Sequence, residues 1–179
     1  MDLALVAHLA AIEGSVSVVH FFDGWRTSGE MATIDVIDYP TIFSLVDKEK
    51  IQAFRQRGLN PLHPVLRGSA QNPDVYFQNR EACNSYYDAF PAVVESVMDR
   101  VGKAIGRQYH LFDYYGATDA EEVVVVMGSA SQVAKLTADT LNASGRKTGV
   151  LTVRLYRPWS AERFVAALPA TVKTLAVLD

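Results

Sequence analysis

Few side chains in this 179-residue sequence stand at spacings that do chemistry. Residues 23–30 read DGWRTSGE, a polar loop that leaves an apolar run. Arg26 there is a candidate contact for an anion or a substrate, because a guanidinium presents a fixed fork of donors. The structural alternative is the commoner one in loops. Asp23 pairs with Arg26, and Thr27 or Ser28 caps a helix that includes Glu30. A second stretch, residues 60–80 (NPLHPVLRGSAQNPDVYFQNR), carries His63 and Arg67. A histidine can act as a general base, but no acid or nucleophile stands at an informative distance from it. Arg67 and Asn72 serve equally well as side chains that hold an irregular backbone through its carbonyls and amides.

The motifs that would name a cofactor are missing. No GxGxxG follows a strand, and there is no GxxxxGK[ST], CxxC or GxSxG. Gly128-Ser129-Ala130-Ser131 follows an apolar run, and its amides could meet a phosphate at a helix start. Close strand-to-helix packing accounts for the same small residues. His8, His20, His63 and His110 are scattered, and Cys83 is the only cysteine, so neither a metal site nor an internal disulfide is read here. Thiamin diphosphate enzymes hold their diphosphate and Mg²⁺ with GDG and a later asparagine. Asp23-Gly24 follows Phe22, and no asparagine stands at the required distance.

The elements that must position these residues are clearest at the C-terminal end. The β-branched run 123–127 reads as a strand buried on both faces. Residues 132–141 form a helix, with Val133, Leu136, Thr137, Thr140 and Leu141 on its apolar side and Gly145 as its stop. A second strand covers 150–155, broken by Arg157-Pro158. Ser160 caps a helix whose apolar side is Phe164, Val165 and Leu168. Pro169 ends it, and a third strand covers 174–178. The alternation implies a parallel sheet covered by helices, with ligands beyond the carboxyl ends of the strands. That edge carries residues 128–130, 156–159 and Asp179. A buried strand that ends the chain predicts a piece of something longer.

Upstream, residues 3–13 read as a helix stopped by Gly14, and 15–22 (SVSVVHFF) as a strand buried at its end. Asp47 caps a helix that ends at Gly58 and has a solvated basic face. Three prolines in 60–80 predict neither regular helix nor central strand, and a long loop that binds or wraps a partner subunit fits. Residues 79–87 read as helical. Val93, Val94, Val97, Met98, Val101 and Ile105 make 91–105 a core helix, with Pro91 in its first turn and Gly106 as its stop. Residues 109–115 are aromatic and extended. A boundary is placed within 114–120.

Composition bounds the function class. Apolar residues reach 49%, enough for a packed core. A net charge of −3 gives no electrostatic case for nucleic acid or an anionic membrane. No apolar run approaches a membrane span, and the first residues lack a signal-peptide pattern. The expectation is a cytoplasmic α/β protein with no nucleic-acid or membrane partner.

The residues also resemble a known family. HFFDGWRTSGE (20–30), LNPLHPVLRGSAQNPDVYFQNREACNSYY (59–87), LFDYYGATDAEEVVVVMGS (111–129) and GVLTVRLYRPWSAERFVAALPATVKTLAVLD (149–179) are similar to pyruvate:ferredoxin (or flavodoxin) oxidoreductases. The resemblance implies three-layer parallel-sheet domains of thiamin diphosphate-binding type, with a Rossmann-like second unit. It places 1–115 in the C-terminal part of a pyrimidine-binding first domain. Residues 120–179 fall at the start of a second domain like the C-terminal domain of transketolase. It implies an enzyme that oxidatively decarboxylates pyruvate with coenzyme A to acetyl-CoA and CO2. The expected cofactors of the full-length enzyme are thiamin diphosphate, Mg²⁺ and [4Fe–4S] clusters, its acceptor is ferredoxin or flavodoxin, and it is expected to be a homodimer. The family's catalytic and cluster residues fall outside this stretch, so no catalytic, cofactor or metal residue is carried over. The chain by itself is expected to bind no cofactor and to be inactive, with Arg26 and Arg67 as candidates for active-site support. Gly29 replaces the family's usual histidine, which puts any role of that loop side chain in doubt. The family usually has phenylalanine at Trp25 and Trp159, threonine at Ser69 and alanine at Cys83. Two alternatives stand beside this one: a stand-alone α/β binding or scaffold module, and the same domains fused to a flavin reductase.

Overall fold

A computed structural model describes residues 1–66 and 70–178. In chain order the elements are α1 (Asp2–Gly14), α2 (Trp25–Ser28), α3 (Tyr39–Leu45), α4 (Lys48–Gln56), α5 (Pro73–Ala82) and α6 (Asn84–Ile105). Then follow β1 (Phe112–Gly116), β2 (Glu122–Val126), α7 (Ala130–Ala143), β3 (Thr148–Val153), α8 (Ala161–Ala166) and β4 (Thr174–Val177). The chain divides into two compact units. Met1–Val19 and Ile37–Gly106 form the first; His20–Val36 and the residues from Arg107 onward form the second.

The first unit is helical in its described residues. Its core is one seam. Val6, Leu9 and Ala10 of α1 are buried with Phe90, Val94, Val97, Met98 and Val101 of α6. The spacing of the α6 residues is that of one helical face, as read from the sequence. A Cβ at Gly14 would lie 2.7 Å from the Phe90 ring, so the end of α1 meets α6 closely. Glu13 and Arg100 join the two helices by a 2.6 Å ion pair. Gly106 ends α6 in the left-handed conformation, its N–H donating to the Gly102 carbonyl at 2.8 Å. Asp47 caps α4 as expected, accepting from the amides of Glu49 and Lys50. Asp38 does the same for α3, through the Thr41 amide at 2.7 Å.

Three expectations for this part of the chain are corrected. Residues 15–22 are not a strand: they have no ladder partner among the described residues, and Val19, Phe21 and Phe22 are exposed. An apolar, β-branched run becomes a strand only where another backbone pairs with it. The proline-rich stretch is helical in its last third, because Pro73 occupies the first turn of α5, where no N–H donor is required. Prolines 61 and 64 exclude helix only upstream of it. Finally, α6 begins at Asn84 rather than at Pro91, and Pro91 lies buried inside it. The missing N–H forfeits one helical hydrogen bond. Burial of Phe90 and Pro91 on the α1 side accompanies that loss.

The second unit holds a four-stranded sheet in the order β1-β3-β2-β4. β2 pairs in parallel with β3 (Val124 opposite Val150) and with β4 (Val124 opposite Ala176), as the β–α alternation predicts. The sheet is mixed, however, because β1 runs antiparallel to β3, with Tyr114 opposite Leu151. Residues 117–121 alone join β1 to β2. Such a link is too short for the crossover that parallel strands need, so β1 can enter only antiparallel. All of β3 is buried, and Val123, Val125 and Val126 of β2 with it. Asn142 closes the turn from α7 to β3: its side-chain oxygen accepts from the Thr148 amide at 2.8 Å, and its NH2 donates to the Thr148 carbonyl at 3.0 Å.

Helix α7 rests on the sheet through a different face from the one expected. Ala134 and Ala138 meet Val126 and Val150, while Val133 and Leu136 are exposed. Alanines one turn apart let the helix approach the strands more closely than leucine would. Helix α8 follows Ser160, whose hydroxyl makes no capping bond to the helix amides. Its Phe164 ring stacks edge-on to Phe112 at 5.5 Å and lies 5.0 Å from Trp159. Among the described residues no helix is long and apolar enough to cross a membrane.

Candidate functional site

In an open parallel sheet the carboxyl ends of the strands are where loops converge. Here three segments of the second unit do so: the turn after β2, the segment after β3 and the loop of residues 23–30. The turn after β2 runs through Gly128, whose φ is +67°, into Ser129 and α7. The Ser129 amide donates to the Asp23 carboxylate at 2.5 Å. The Thr27 and Ser129 hydroxyls lie 3.4 Å apart. The Ser129 hydroxyl and amide hold the Asp23 carboxyl below its usual range, which favours the ionised form at a helix start.

The segment after β3 is organised by Asp113. Its carboxylate accepts from the Arg154 guanidinium, and from the ring and amide of His110 at 2.9 and 3.1 Å. Arg154 also lies over the Tyr109 ring at 5.0 Å. Because β1 is antiparallel, its first residues stand beside the last residues of β3, which brings Asp113 to Arg154. Arg157 lies over the Tyr156 ring at 5.3 Å. The Arg154–Asp113 pair is partly buried, and it ties the backbone beyond β3 to β1.

Of the sequence-level candidates, Arg26 sits in the short helix α2, and only its backbone is described. Arg67 lies outside the described residues, as does Asp179. In sequence Asp23 stands only as a possible partner of Arg26, and nothing there marks its reach to Ser129. Asp113 and His110 do not stand out there either. No sequence spacing marks either contact, since Asp23 is 106 residues from Ser129 and Asp113 is 41 from Arg154. Asp-Gly followed by a distant Gly-Ser helix start was the only available hint.

Thiamin diphosphate bound through Mg²⁺ requires carboxylate or carbonyl ligands around the metal. Among the described residues no cluster of three or more His, Cys, Asp or Glu side chains could hold a metal ion. The one carboxylate at the sheet edge in an Asp-Gly sequence, Asp23, is engaged by Ser129. The described residues therefore do not fit the diphosphate–metal group.

Two family models match in tandem. "Pyruvate flavodoxin/ferredoxin oxidoreductase, thiamine diP-bdg" matches residues 1–99, and "Pyruvate:ferredoxin oxidoreductase core domain II" matches 120–179. The chain is 58% identical over 179 residues to a pyruvate:ferredoxin oxidoreductase of Moorella thermoacetica, covering 100% of this chain and 15% of the relative. It is 52% identical to a pyruvate-flavodoxin oxidoreductase of Klebsiella pneumoniae, again over 100% of the chain and 15% of the relative. A pyruvate dehydrogenase (NADP+) of Cryptosporidium parvum is 53% identical over 100% of the chain and 9% of its own length. Among solved structures, a 2-oxoglutarate:ferredoxin oxidoreductase from Magnetococcus marinus aligns with TM-score 0.38 and 20% identity, over 62% of this chain and 17% of that one. The chain thus spans about 15% of the length of the first two relatives.

Proposed function

The chain belongs to the pyruvate flavodoxin/ferredoxin oxidoreductase family, and from that premise we propose that it is part of an enzyme that oxidises pyruvate. Pyruvate and coenzyme A give acetyl-CoA and CO2, and the two electrons released pass to ferredoxin or flavodoxin. The observation that carries this reading is the identity of 58% maintained across the whole chain, through both matched domains. Thiamin diphosphate, Mg²⁺ and [4Fe–4S] clusters would be held by parts of the enzyme outside this chain, which alone is inactive.

On this reading residues 1–115 belong to the latter part of the first domain and 120–179 to the start of the second; the matched spans, 1–99 and 120–179, support it on either side of 100–119, while the compact second unit itself takes in 20–36 and begins again at Arg107. The chain's role is to build the shell around the active centre. Arg26 and Arg67 support that centre, and the enzyme works as a cytoplasmic homodimer. The acceptor is left to experiment, because relatives named for ferredoxin, flavodoxin and NADP+ share 58%, 52% and 53% identity.

The test is to purify the polypeptide that carries this sequence, using an antibody raised against the chain. It is then assayed with pyruvate, coenzyme A and each acceptor in turn. Acetyl-CoA formation coupled to reduction of ferredoxin or flavodoxin, and lost without coenzyme A, is the expected result. No pyruvate-dependent reduction of any acceptor would overturn the proposal. In the active enzyme, Arg67→Ala should lower pyruvate turnover or cofactor affinity; if both stay unchanged, the support role fails.

A further inference from the structure

Residues 20–36 belong to the second unit, although they are flanked in sequence by residues of the first. They contain no strand among the described residues, and their apolar side chains Phe21, Phe22, Trp25, Met31, Ile34 and Val36 are all exposed. Burial therefore does not hold this arm in place. Among the described side chains, what holds it is polar and local. Asp23 accepts from the Ser129 amide at the start of α7, and Thr27 reaches the Ser129 hydroxyl. At the other end, Arg107 donates to Asp35 at 3.4 Å.

Two further observations mark the Asp23 contact as the principal fastening. A Cβ at Gly128 would lie 2.7 Å from the Asp23 carboxylate, and the φ of +67° there already disfavours a side chain. The carboxylate is thus seated against bare backbone. Two residues on, Trp25 has a φ of +49°, a left-handed conformation that bulky side chains avoid, while its indole is 96% exposed. No packing of the indole compensates that strain. Such a conformation persists only where its surroundings over-determine it. Here Asp23 fixes the approach to the turn, the Ser28 hydroxyl donates to the Trp25 carbonyl at 2.8 Å, and the Glu30 amide donates to the Thr27 carbonyl at 3.2 Å.

We propose that Asp23 is a latch: an internal anion that fills the start of α7 and thereby fastens residues 20–36, with the Arg26-bearing turn, to the second unit. The carboxylate meets the Ser129 amide and the positive end of the helix dipole, and the bond is charge-assisted, while the Ser131 and Gln132 amides are paired with the Gly128 and Ser129 carbonyls. It takes the place that a phosphate would occupy at the Gly-Ser turn. The small residues of that turn therefore accept a side chain of the same protein instead of a nucleotide. The inference holds for any chemistry carried out elsewhere in the enzyme and does not rest on the oxidation of pyruvate.

Hydrogen exchange read by mass spectrometry, on the polypeptide as its gene encodes it, tests the latch. In Asp23→Ala, amides of 23–30 and of Ser129 should exchange about tenfold faster or more, the size expected for loss of a charge-assisted bond, while 123–126 and 150–153 stay unchanged. Gly128→Ala should reproduce this pattern. Inorganic phosphate should slow exchange at 129–131 in Asp23→Ala and leave the unsubstituted protein unaffected. Asp23→Asn, which keeps an acceptor and guards against simple misfolding, should give intermediate rates. Equal exchange at 23–30 in Asp23→Ala and the unsubstituted protein would overturn the latch. So would protection by phosphate with Asp23 in place, or an Asp23→Asn protein that matches the unsubstituted one throughout, since the fastening would then owe nothing to charge.

Discussion

The sheet of the second unit and the helices of the first invest their apolar residues differently. In the sheet, every residue of β3 is buried, and β2, α7 and β1 close around it. In the first unit the buried core residues, among those described, come from α1, from α6 and from Val16 just beyond α1. Helices α3, α4 and α5 have no buried residue, although they carry Phe43, Phe54, Val75, Tyr76 and Phe77. An apolar groove of about 360 Å³ opens between α1, α3 and α4, lined by Leu5, Leu9, Ile42 and Ile51 among others. Exposed aromatic and aliphatic side chains in such numbers are the composition of surfaces that proteins cover. The lesson is that one chain can hold a sheet whose central strand is wholly buried while its edge strand β4 is exposed, and helices without buried residues, two of which, α3 and α4, are capped by Asp38 and Asp47.

The largest expected effect separates the two regions. Leu151→Ala, at a fully buried position at the centre of β3, should cost about 2–5 kcal/mol in denaturant unfolding. Phe77→Ala, at a position 72% exposed in α5, should stay within about 0.5 kcal/mol. Similar losses for the two would break the contrast. Next is Gly149→Ala. A Cβ at Gly149 would lie 2.2 Å from the Tyr114 hydroxyl, so the Tyr114 ring must move out of its place over β3, at about 1–3 kcal/mol. An unchanged melting temperature would mean that the Tyr114 ring is not packed over Gly149 as described.

Thr152→Val should raise stability by about 1 kcal/mol. The Thr152 hydroxyl is buried and has no hydrogen-bond partner among the described residues, so its removal relieves a desolvated polar atom at nearly constant shape. A loss in place of a gain would reveal a partner for it. The smallest effect concerns the opposite edge of the sheet, where Asp119 pairs with Lys147 at 2.7 Å and Glu121 with Lys173 at 2.8 Å. The lysine partners lower both carboxyl pKa values, and Asp119 raises that of Lys147. A carboxylate with a lowered pKa adds stability above its ordinary value near 4 and loses it as pH falls through the folded value. The raised Lys147 contributes below its ordinary value and fades as pH rises through the folded one. These groups are exposed, so the effect should be slight and should fade in salt. A titration of unfolding midpoint against pH, with and without Lys147→Met, checks it.

What the sequence disclosed follows the same division. The second unit was legible because a β-branched run, a helix of one period and a glycine stop each act locally. Even there, the face of α7 was misread, since Val133 and Leu136 look like core until Ala134 and Ala138 are seen against Val126 and Val150. The antiparallel entry of β1 was hidden because direction depends on link length and not on residue type. In residues 15–22 the sequence has a strand's composition, but a strand also requires a neighbour, which composition does not supply. The candidate site was least legible. Asp23 with Ser129, and Asp113 with Arg154, are tertiary contacts between separate segments, and Arg26 and Arg67 had chemical type in their favour but no spacing.

The most direct test of the proposed function is the size and thiamin content of the native polypeptide. Immunoprecipitation with an antibody against this chain, followed by denaturing electrophoresis and a thiochrome assay, measures both. A polypeptide several times heavier than 19.7 kDa that carries stoichiometric thiamin diphosphate is the expected result. A thiamin-free protein of 19.7 kDa would contradict it, and this chain would then have no part in the oxidation of pyruvate.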